Sequence, residues 1–305
     1  MSRKAKLILN PMADMGNAWK VANDLRPIVA EYGNADWSGT VYPTHAIELA
    51  HQAGLEGYDV VVAVGGDGTV HEVVNGLMQI PAEKRPMLGI VPVGSGNDFA
   101  HAAGVPLRPD HALMHALTAE PKNVDIGLLR DERGRVEYWD NTLGIGFDTV
   151  VTLRSHRLPL LRGFLMYFTA VVQTIILNFT PSHLKIQTDK EAWEENSLML
   201  TVCNGPREGG GFLLAPEAKI DDGSFDYATV RKISRPMMFR LLPEVMKGTH
   251  GRFDCVRMGS LGRIKLDSDK PLYIHIDGEI FTDFASNLRA LEVEILPGAL
   301  RVVRG

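Results

Sequence analysis

Cysteine is scarce in this sequence of 305 residues, which contains only Cys203 and Cys255. Two cysteines so far apart exclude a disulfide framework and a zinc site of the usual paired spacing. Both stand beside β-branched residues, so we predict that they are small buried side chains in strands. A reducing, cytoplasmic setting is the expectation that follows.

An excess of basic charge is also missing. The chain has 32 Lys and Arg against 37 Asp and Glu, a formal net charge of −5. We therefore expect no nucleic-acid partner, because such proteins usually carry a basic footprint. The apolar run near the N-terminus is too short for a signal peptide and is cut by Pro11. No apolar run reaches the roughly 20 residues of a transmembrane helix.

The pattern of the chain changes near residues 123–126. Before this point, β-branched runs such as Asp59–Val64 and Met87–Val93 alternate with segments of helical spacing such as Ala18–Tyr32. Such alternation indicates a parallel sheet with helices on both faces. A further strand is predicted at Val41–Pro43. After the change, most segments are strand-like.

The predicted fold class is therefore α/β with two domains. An N-terminal three-layer α/β/α nucleotide-binding domain with a parallel sheet is expected over residues 1–125, and a β-rich, sandwich-like domain over residues 126–290. Residues 291–305 form a C-terminal segment that we expect to return to the first domain.

Two glycine-rich loops follow buried strands, Gly65-Gly66-Asp67-Gly68-Thr69 and Gly94-Ser95-Gly96-Asn97-Asp98. The carboxyl ends of parallel strands share one edge of the sheet, so both loops are expected at one ligand site. Glycine permits positive φ and a close approach to phosphate, and helix N-termini favour anions. Acids beside a phosphate imply Mg²⁺. The structural alternatives are a tight turn without a ligand and, at Asp98, an interaction with the helix dipole alone.

Near the C-terminus, Asp277 follows the strand-like segment Leu272–Ile276 and precedes Gly278. A carboxylate at a strand end can accept a proton from an acceptor hydroxyl, with Glu279 orienting it. From these residues alone, an Asp-Gly hairpin turn is the favoured interpretation. His275 has no partner by spacing. His71 and His101 are expected on helix surfaces or beside a base of a nucleotide.

An apolar helix is predicted from Leu158 to Phe179, inside the β-rich half. Basic residues precede it or lie in its first turns: Arg154, His156, Arg157 and Arg162. Such a helix suits an anionic lipid surface, or it packs on the β domain, or it does both.

In this order along the chain, the motifs resemble the diacylglycerol kinase catalytic family, including its bacterial lipid-kinase branch. The first glycine loop is shared with sphingosine kinases, NAD kinases and phosphofructokinases, whereas Gly94–Ala100 is narrower. Cys203–Gly205, Asp222–Asp226 and Asp277–Glu279 match the second half of the family pattern. In the N-terminal loop that contains Asp14, this aspartate stands where glycine is usual in the family, which argues against close phosphate approach by that loop.

The resemblance implies an ATP-dependent lipid kinase with ATP and Mg²⁺ as cofactors, Asp277 as general base and Glu279 as its partner. It implies magnesium ligands at Asp67, Asp98 and Asp125, and a separate structural magnesium at Lys219, Asp222 and Ser224. The residues that would contact ATP are Asn10, Thr44, Gly65, Gly66, Asp67, Gly68, Thr69, Val70, His71, Glu72, Gly94, Ser95 and Asn97.

The acceptor stays open at this point. Diacylglycerol, phosphatidylglycerol, a sphingoid base and a soluble acceptor such as NAD are alternatives, as is a nucleotide-binding regulator without catalysis. The expected partners are a membrane lipid substrate and the inner face of a membrane, to which a cytoplasmic protein binds peripherally. A homodimer is compatible with the sequence.

Overall fold

The computed structural model describes residues 2–158, 161, 163–177 and 180–305. The chain divides into two compact units. Unit 1 comprises Met1–Ile126 and Pro297–Gly305, and unit 2 comprises Gly127–Leu296. The predicted α/β fold class, with an N-terminal parallel sheet and a β-rich C-terminal part, is confirmed.

Unit 1 is built on a parallel sheet. Its strands run in the order β4-β3-β1-β2, and α1 packs with α5 while α2 packs with α3. Every residue of β3 and β4 is buried, as their apolar sequences predict. The elements are β1 (Ala5–Leu9), α1 (Ala18–Tyr32), β2 (Ala35–Gly39), α2 (His45–Leu55), β3 (Val60–Gly65), α3 (Asp67–Met78), β4 (Met87–Pro92), α4 (Asp98–Ala102) and α5 (Pro109–Thr118), with β5 (Pro121–Asp131) leading into unit 2.

The strand predicted at Val41–Pro43 is wrong. The second strand of the chain is β2, which pairs in parallel with β1 from Ala35 to Gly39. This strand lies at the edge of the sheet, so backbone pairing to one neighbour forms it without an apolar run. Val41 is 78% exposed, in the segment that leads into α2.

Unit 2 is mainly antiparallel. Its strands run in the order β14-β13-β7-β9-β8-β12-β15, and β10 pairs with both β9 and β11. The elements are β6 (Val136–Trp139), β7 (Thr142–Gly146), α6 (Phe147–Ser155), α7 (Gly163–Leu177), β8 (Ser182–Thr188), β9 (Ala192–Cys203), β10 (Phe225–Arg231), α8 (Arg235–Met246), β11 (Val256–Leu261), β12 (Arg263–Ser268), β13 (Ile274–Ile276), β14 (Glu279–Thr282) and β15 (Ala290–Val303). In the last residues of β15, Val302 pairs in parallel with Leu88 of β4.

Two apolar cores stabilise unit 2. One lies among the strands and includes Trp139 and Phe225, whose rings stack with centroids 4.6 Å apart. The other joins α6, α7 and α8 to the sheet and includes Tyr167 and Leu241. Cys203 is buried in this second core as predicted, whereas Cys255 is only partly buried.

The apolar helix predicted from Leu158 to Phe179 is present as α7, over Gly163–Leu177. Of the residues in that prediction, Pro159, Leu160, Arg162, Asn178 and Phe179 lie outside the described residues. Among the residues that are described, no helix combines the length and the apolarity needed to cross a membrane.

Candidate active site

The two glycine loops of unit 1 pack directly against each other. Gly66 precedes α3, and Gly94 follows β4. A Cβ atom at Gly66 would lie 3.1 Å from the Gly94 Cα, and one at Gly94 would lie 2.5 Å from the Gly66 Cα. Real Cβ atoms do not approach backbone atoms so closely, so this contact needs a glycine at Gly94 and favours one at Gly66.

The glycines of these two loops do not have the positive φ angles that we predicted. Gly66 has φ −92°, and Gly68 lies in the first turn of α3. The requirement is steric instead, because a Cβ atom at Gly65 would lie 2.3 Å from the Thr69 Oγ1. The left-handed residue is Asn97, with φ 53°, whose side chain accepts a hydrogen bond from the Gly94 N–H and donates one to the Gly94 carbonyl.

Two acids meet beside the second loop. Asp67 and Asp98 begin α3 and α4, and a Cβ atom at Gly96 would lie 2.9 Å from Oδ2 of Asp67 and 3.2 Å from Oδ2 of Asp98. Paired carboxylate oxygens at one place fit the preference of Mg²⁺ for hard oxygen ligands. Asp125 is buried in β5, where its Oδ1 accepts a hydrogen bond of 2.7 Å from the Gly298 N–H.

Some residues predicted to contact ATP have structural partners. The Glu72 carboxylate accepts hydrogen bonds from the Thr44 and Ala46 N–H groups, at 2.8 and 3.0 Å, and so stabilises the start of α2. Val70 and His71 are buried in α3, so the expected surface position of His71 is wrong. Asn10, Thr69 and Ser95 remain at the loops: the Asn10 amide donates to the Thr69 hydroxyl at 3.1 Å, and Ser95 is exposed.

The N-terminal loop that contains Asp14 accommodates this aspartate. Asp14, Met15 and Gly16 have φ angles of 48°, 57° and 90°, so three successive residues are left-handed. Aspartate enters this region more readily than most residues because it can bond locally. Here the Asp14 Oδ2 accepts a hydrogen bond of 2.9 Å from the Asn17 amide. The backbone therefore adopts a glycine-like path despite the substitution.

In unit 2, Asp277 is the first central residue of the turn between β13 and β14. Asp277 and Gly278 both have positive φ, 51° and 83°, as a type I′ hairpin requires. The hairpin interpretation of Asp-Gly is thus confirmed, but Asp277 is only 6% exposed. It accepts three backbone hydrogen bonds of 2.9 to 3.1 Å from residues 140–142. Glu279, its proposed partner, is exposed at the start of β14.

Sequence reasoning missed a buried cluster of four ionisable side chains, Asp148, Tyr167, Glu208 and His275. The His275 Nε2 lies 3.2 Å from the Asp148 Oδ2 and 3.3 Å from the Glu208 Oε1. The Tyr167 hydroxyl donates to Glu208 at 2.7 Å and lies 3.1 Å from the Asp148 Oδ1. Each residue is at most 8% exposed. The prediction that His275 has no partner is therefore wrong.

In the buried cluster, two acids, Asp148 and Glu208, share one cation, the imidazolium of His275. Burial alone lowers the pKa of His275, but the Glu208 and Asp148 carboxylates outweigh it and raise this pKa to about 9. Burial and then Asp148 raise the pKa of Glu208 to about 7, against the opposing charge of His275. Near neutral pH, the imidazolium of His275 thus compensates the two acids, and the groups titrate together.

The same cluster has the composition of a metal site. The ligand atoms of Asp148, Glu208 and His275 all lie within 4.8 Å of one another. Those atoms already pair with each other, so the cluster is closed as an ion pair and a cation would have to replace the imidazole proton.

An apolar cavity adjoins the buried cluster. The cavity is partly open to solvent, and Asp148 and Tyr167 stand in its wall. The rest of its lining is apolar and comes mostly from helices and loops of the second core, including Val171, Leu241 and Val245. The cavity is thus apolar except for two ionisable residues in its wall.

Comparison with known proteins identifies the architecture. Residues 4–129 match the model of the diacylglycerol kinase catalytic domain, and residues 141–304 match that of the YegS C-terminal NAD kinase beta sandwich-like domain. The chain belongs to the diacylglycerol kinase family. Both domains and the relatives indicate a lipid kinase of this family, and the resemblance drawn from the motifs is confirmed.

Relatives match the kinase over nearly its full length. It is 32% identical to "Probable lipid kinase YegS-like" of Chromohalobacter salexigens, over 96% of this chain and 94% of the relative. It is 28% identical to a diacylglycerol kinase of Bacillus subtilis, over 91% and 90%. The crystal structure of a diacylglycerol kinase from Bacillus anthracis has the same fold, with a TM-score of 0.73 and 22% identity over 100% and 97% of the chains.

The loop expected to bind structural magnesium in the kinase is an exposed acidic turn. Asp222 Oδ1 accepts hydrogen bonds from the N–H and the hydroxyl of Ser224, at 3.1 and 3.0 Å, and Lys219 is exposed nearby in sequence. Burial, followed by the Asp222 and Glu217 carboxylates, raises the pKa of Asp226. This crowding of negative charge fits a cation.

Proposed function

We propose that the kinase transfers the γ-phosphoryl group of ATP to a hydroxyl of a membrane lipid such as diacylglycerol. The observation that supports this most is the apolar cavity of unit 2, with Asp148 and Tyr167 in its wall. An amphiphile with an acyl chain and a hydroxyl-bearing head fits such a space, whereas a dinucleotide would need a polar pocket.

The assay for this proposal uses labelled ATP, Mg²⁺ and a panel of acceptors in mixed micelles, with products separated by thin-layer chromatography. The panel holds diacylglycerol, phosphatidylglycerol, a sphingoid base and NAD. Labelled phosphatidic acid from diacylglycerol is expected. Labelling of NAD alone would overturn the proposal, and binding of ATP without labelling of any acceptor would favour a regulator.

For the nucleotide, the two packed glycine loops fit a phosphate chain that approaches backbone closely. Asp67 and Asp98 are the residues that would hold Mg²⁺, with Asp125 as a third acid of the same unit. Bound Mg²⁺ supplies charge neutralisation at the phosphates. The remaining polar groups at the loops, Asn10, Thr69 and Ser95, would orient the nucleotide.

Asp277 is the proposed general base. Two carboxylate oxygens offer about four lone-pair sites. Three backbone N–H groups donate to these oxygens and hold the carboxylate at the end of β13, where it would accept the proton of the acceptor hydroxyl. The carboxylate is also locked in position by these bonds, so it would need no reorganisation during the reaction.

We expect Asp277→Asn to lower kcat about 100-fold or more, as loss of a general base usually does. ATP affinity should stay within about threefold. The measurements are initial rates, ATP titration and thermal unfolding, with Asp254→Asn, at an exposed aspartate of the same unit, as the matched amide control. A folded Asp277→Asn enzyme that keeps most of its turnover would remove Asp277 from the proton transfer.

Membrane contact is proposed for the outer face of α7. The inner face holds Tyr167 and Val171, but Leu165, Ile176 and Leu177 are 57%, 53% and 60% exposed. Leu165 and Ile176 share one exposed face of the helix and Leu177 is exposed at its end, and such apolar side chains suit the interface of a bilayer. Arg157, exposed ahead of this helix, suits anionic lipid. A peripheral position at the inner face of the membrane, in the cytoplasm, is part of this proposal.

The double variant Leu165→Gln/Leu177→Gln should bind anionic vesicles about tenfold less tightly or worse, since burying one leucine is worth roughly 1.5–3 kcal/mol. Co-sedimentation measures this. The control Leu55→Gln/Leu107→Gln removes two exposed leucines of unit 1. Equal losses in the two double variants would contradict a membrane role for α7.

A further inference from the structure

A second space in unit 2, the arginine cleft, lies between the end of α6 and α7. It shares no lining residue with the apolar cavity, and its described wall consists of Leu153, Arg154, Arg157, Leu158, Gln173 and Phe284. It offers about 190 Å³, whereas one water molecule needs only about 10–15 Å³. The arginine cleft therefore has room for a group as large as a phosphate.

Helix α7 separates the arginine cleft from the apolar cavity. Val171 and Ile175 line the cavity, whereas Gln173, about 200° around the helix from Val171, lines the cleft. Gln173 instead shares a helix face with Ile176 and Leu177, and both of these side chains are exposed. The arginine cleft thus lies beside the apolar surface that the proposed membrane contact uses.

The charge of the arginine cleft is positive and uncompensated. Its described wall holds two arginines and no acid, and neither arginine forms an ion pair with another described residue. Arg154 is partly buried, and its Nε is buried without a hydrogen-bond partner among the described residues. The end of α6 favours cations but gives this Nε no partner. Because a buried donor without a partner is costly, the cleft is suited to an anionic acceptor of hydrogen bonds.

The donors of the cleft are those that recognise phosphate. Each guanidinium presents five N–H donors in a planar fork that matches two phosphate oxygens. Arg154 and Arg157 lie on one side of a helical turn, in which the Arg157 N–H donates to the Arg154 carbonyl at 3.0 Å. Gln173 adds a neutral amide donor from α7, and Leu158 and Phe284 add apolar wall beside these groups.

Resting on the proposed membrane contact of α7, we propose that the arginine cleft binds the phosphate of an anionic phospholipid. The phosphate oxygens accept hydrogen bonds from Arg154, Arg157 and Gln173. The glycerol and the first acyl carbons lie against Leu158 and Phe284. This lipid is a docking ligand and not the acceptor, so a phosphodiester without a free hydroxyl is sufficient. It holds the enzyme at an anionic surface, while the acceptor occupies the apolar cavity.

The test measures binding of a short-chain phosphatidylmethanol by calorimetry without ATP. This lipid carries one phosphodiester charge and no free hydroxyl, so it cannot serve as the acceptor. The variant Arg154→Gln/Arg157→Gln should bind it at least about tenfold more weakly than the wild type, because the charge-assisted hydrogen bonds are lost. The variant Arg154→Lys/Arg157→Lys keeps both charges but not the planar forks, so its affinity should fall at least about threefold.

The matched control is Arg133→Gln/Arg289→Gln, which removes two exposed arginines of the same unit that line neither space. Its affinity should stay within about twofold of the wild type, because salt screens exposed charges at a distance. Inorganic phosphate, added as a competitor, distinguishes a lipid site from a site for free phosphate, and it should displace the lipid only at much higher concentration. Circular dichroism verifies folding, and the exposed Arg157→Gln alone replaces a double variant that does not fold.

Wild-type affinity in either folded variant of Arg154 and Arg157 would overturn this assignment. Equal losses in the control would also overturn it, since they would show a general attraction of charge. Inorganic phosphate that binds as tightly as the lipid would exclude a lipid ligand. Failure of the proposed function gives a different result: the expected losses of phosphatidylmethanol binding are seen, but the wild type transfers labelled phosphate to no acceptor.

Discussion

A Gly94→Ala enzyme is expected to bind ATP at least about 100-fold more weakly than the wild type, a loss of about 2.7 kcal/mol. The added Cβ atom would lie 2.5 Å from the Gly66 Cα and 2.8 Å from the Asn97 Oδ1. Neither neighbour can move away cheaply, because one is backbone and the other is held by two hydrogen bonds to Gly94 itself. The two loops must separate, and the surface that would hold the phosphates changes shape.

The control is Gly39→Ala, in the same unit, where an added Cβ atom meets nothing within 4 Å and φ is not left-handed. Calorimetric titration with ATP and Mg²⁺ compares the two variants, and circular dichroism verifies their fold. Wild-type affinity in a folded Gly94→Ala protein would show that the packed loops are not the nucleotide site. If Gly94→Ala does not fold, Gly66→Ala replaces it in the test. Its added Cβ atom would lie 3.1 Å from the nearest backbone atom, which is a less severe contact.

A His275→Gln protein is expected to be about 3–5 kcal/mol less stable near pH 7, because two buried acids lose the cation that compensates them. The loss of stability is expected to become smaller as the pH rises. The pKa of His275 is raised to about 9 in the folded state, so its contribution is present below about pH 6.5 and is lost as the pH rises through 9. The pKa of Glu208, raised to about 7, also favours the folded wild type at lower pH.

Urea unfolding at pH 6, 7.5 and 9.5 measures this dependence. His183→Gln is the matched control, since His183 pairs with Glu194 at 3.2 Å on the surface, where such pairs are worth little. The gap in unfolding free energy between the wild type and His275→Gln should narrow at pH 9.5, whereas His183→Gln stays within about 0.5 kcal/mol of the wild type. A gap that is constant with pH would show that His275 is neutral in the folded protein.

The fold was predictable where the local pattern and the buried environment agree. The apolar runs that became β3 and β4 are buried on both faces, so their sequences carry the whole signal. Helix α6 gave no such signal: seven of its nine residues are buried, polar ones among them, so its apolar residues do not mark one face at a helical period. The edge strand β2 was missed for the opposite reason, because its backbone pairing requires little burial.

The candidate site divides in the same way. The glycine loops and the Asp-Gly turn are short segments, so they could be predicted from residues that are adjacent in sequence. The buried cluster joins residues from α6, α7, β13 and the segment after β9, and no spacing in a single sequence connects Asp148 to His275.

The anchoring of Asp277 changes what its presence in a sequence means. Its carboxylate holds the backbone of residues 140–142, and Asn141 in turn bonds to the backbone of Asn204 and Arg207, next to Glu208. A relative that had lost catalysis would still need an acid here to keep these segments in place. The Asp-Gly-Glu motif is therefore a marker of architecture as much as of chemistry. Deciding which members of the family are active requires evidence from the two glycine loops and the apolar cavity of unit 2 as well.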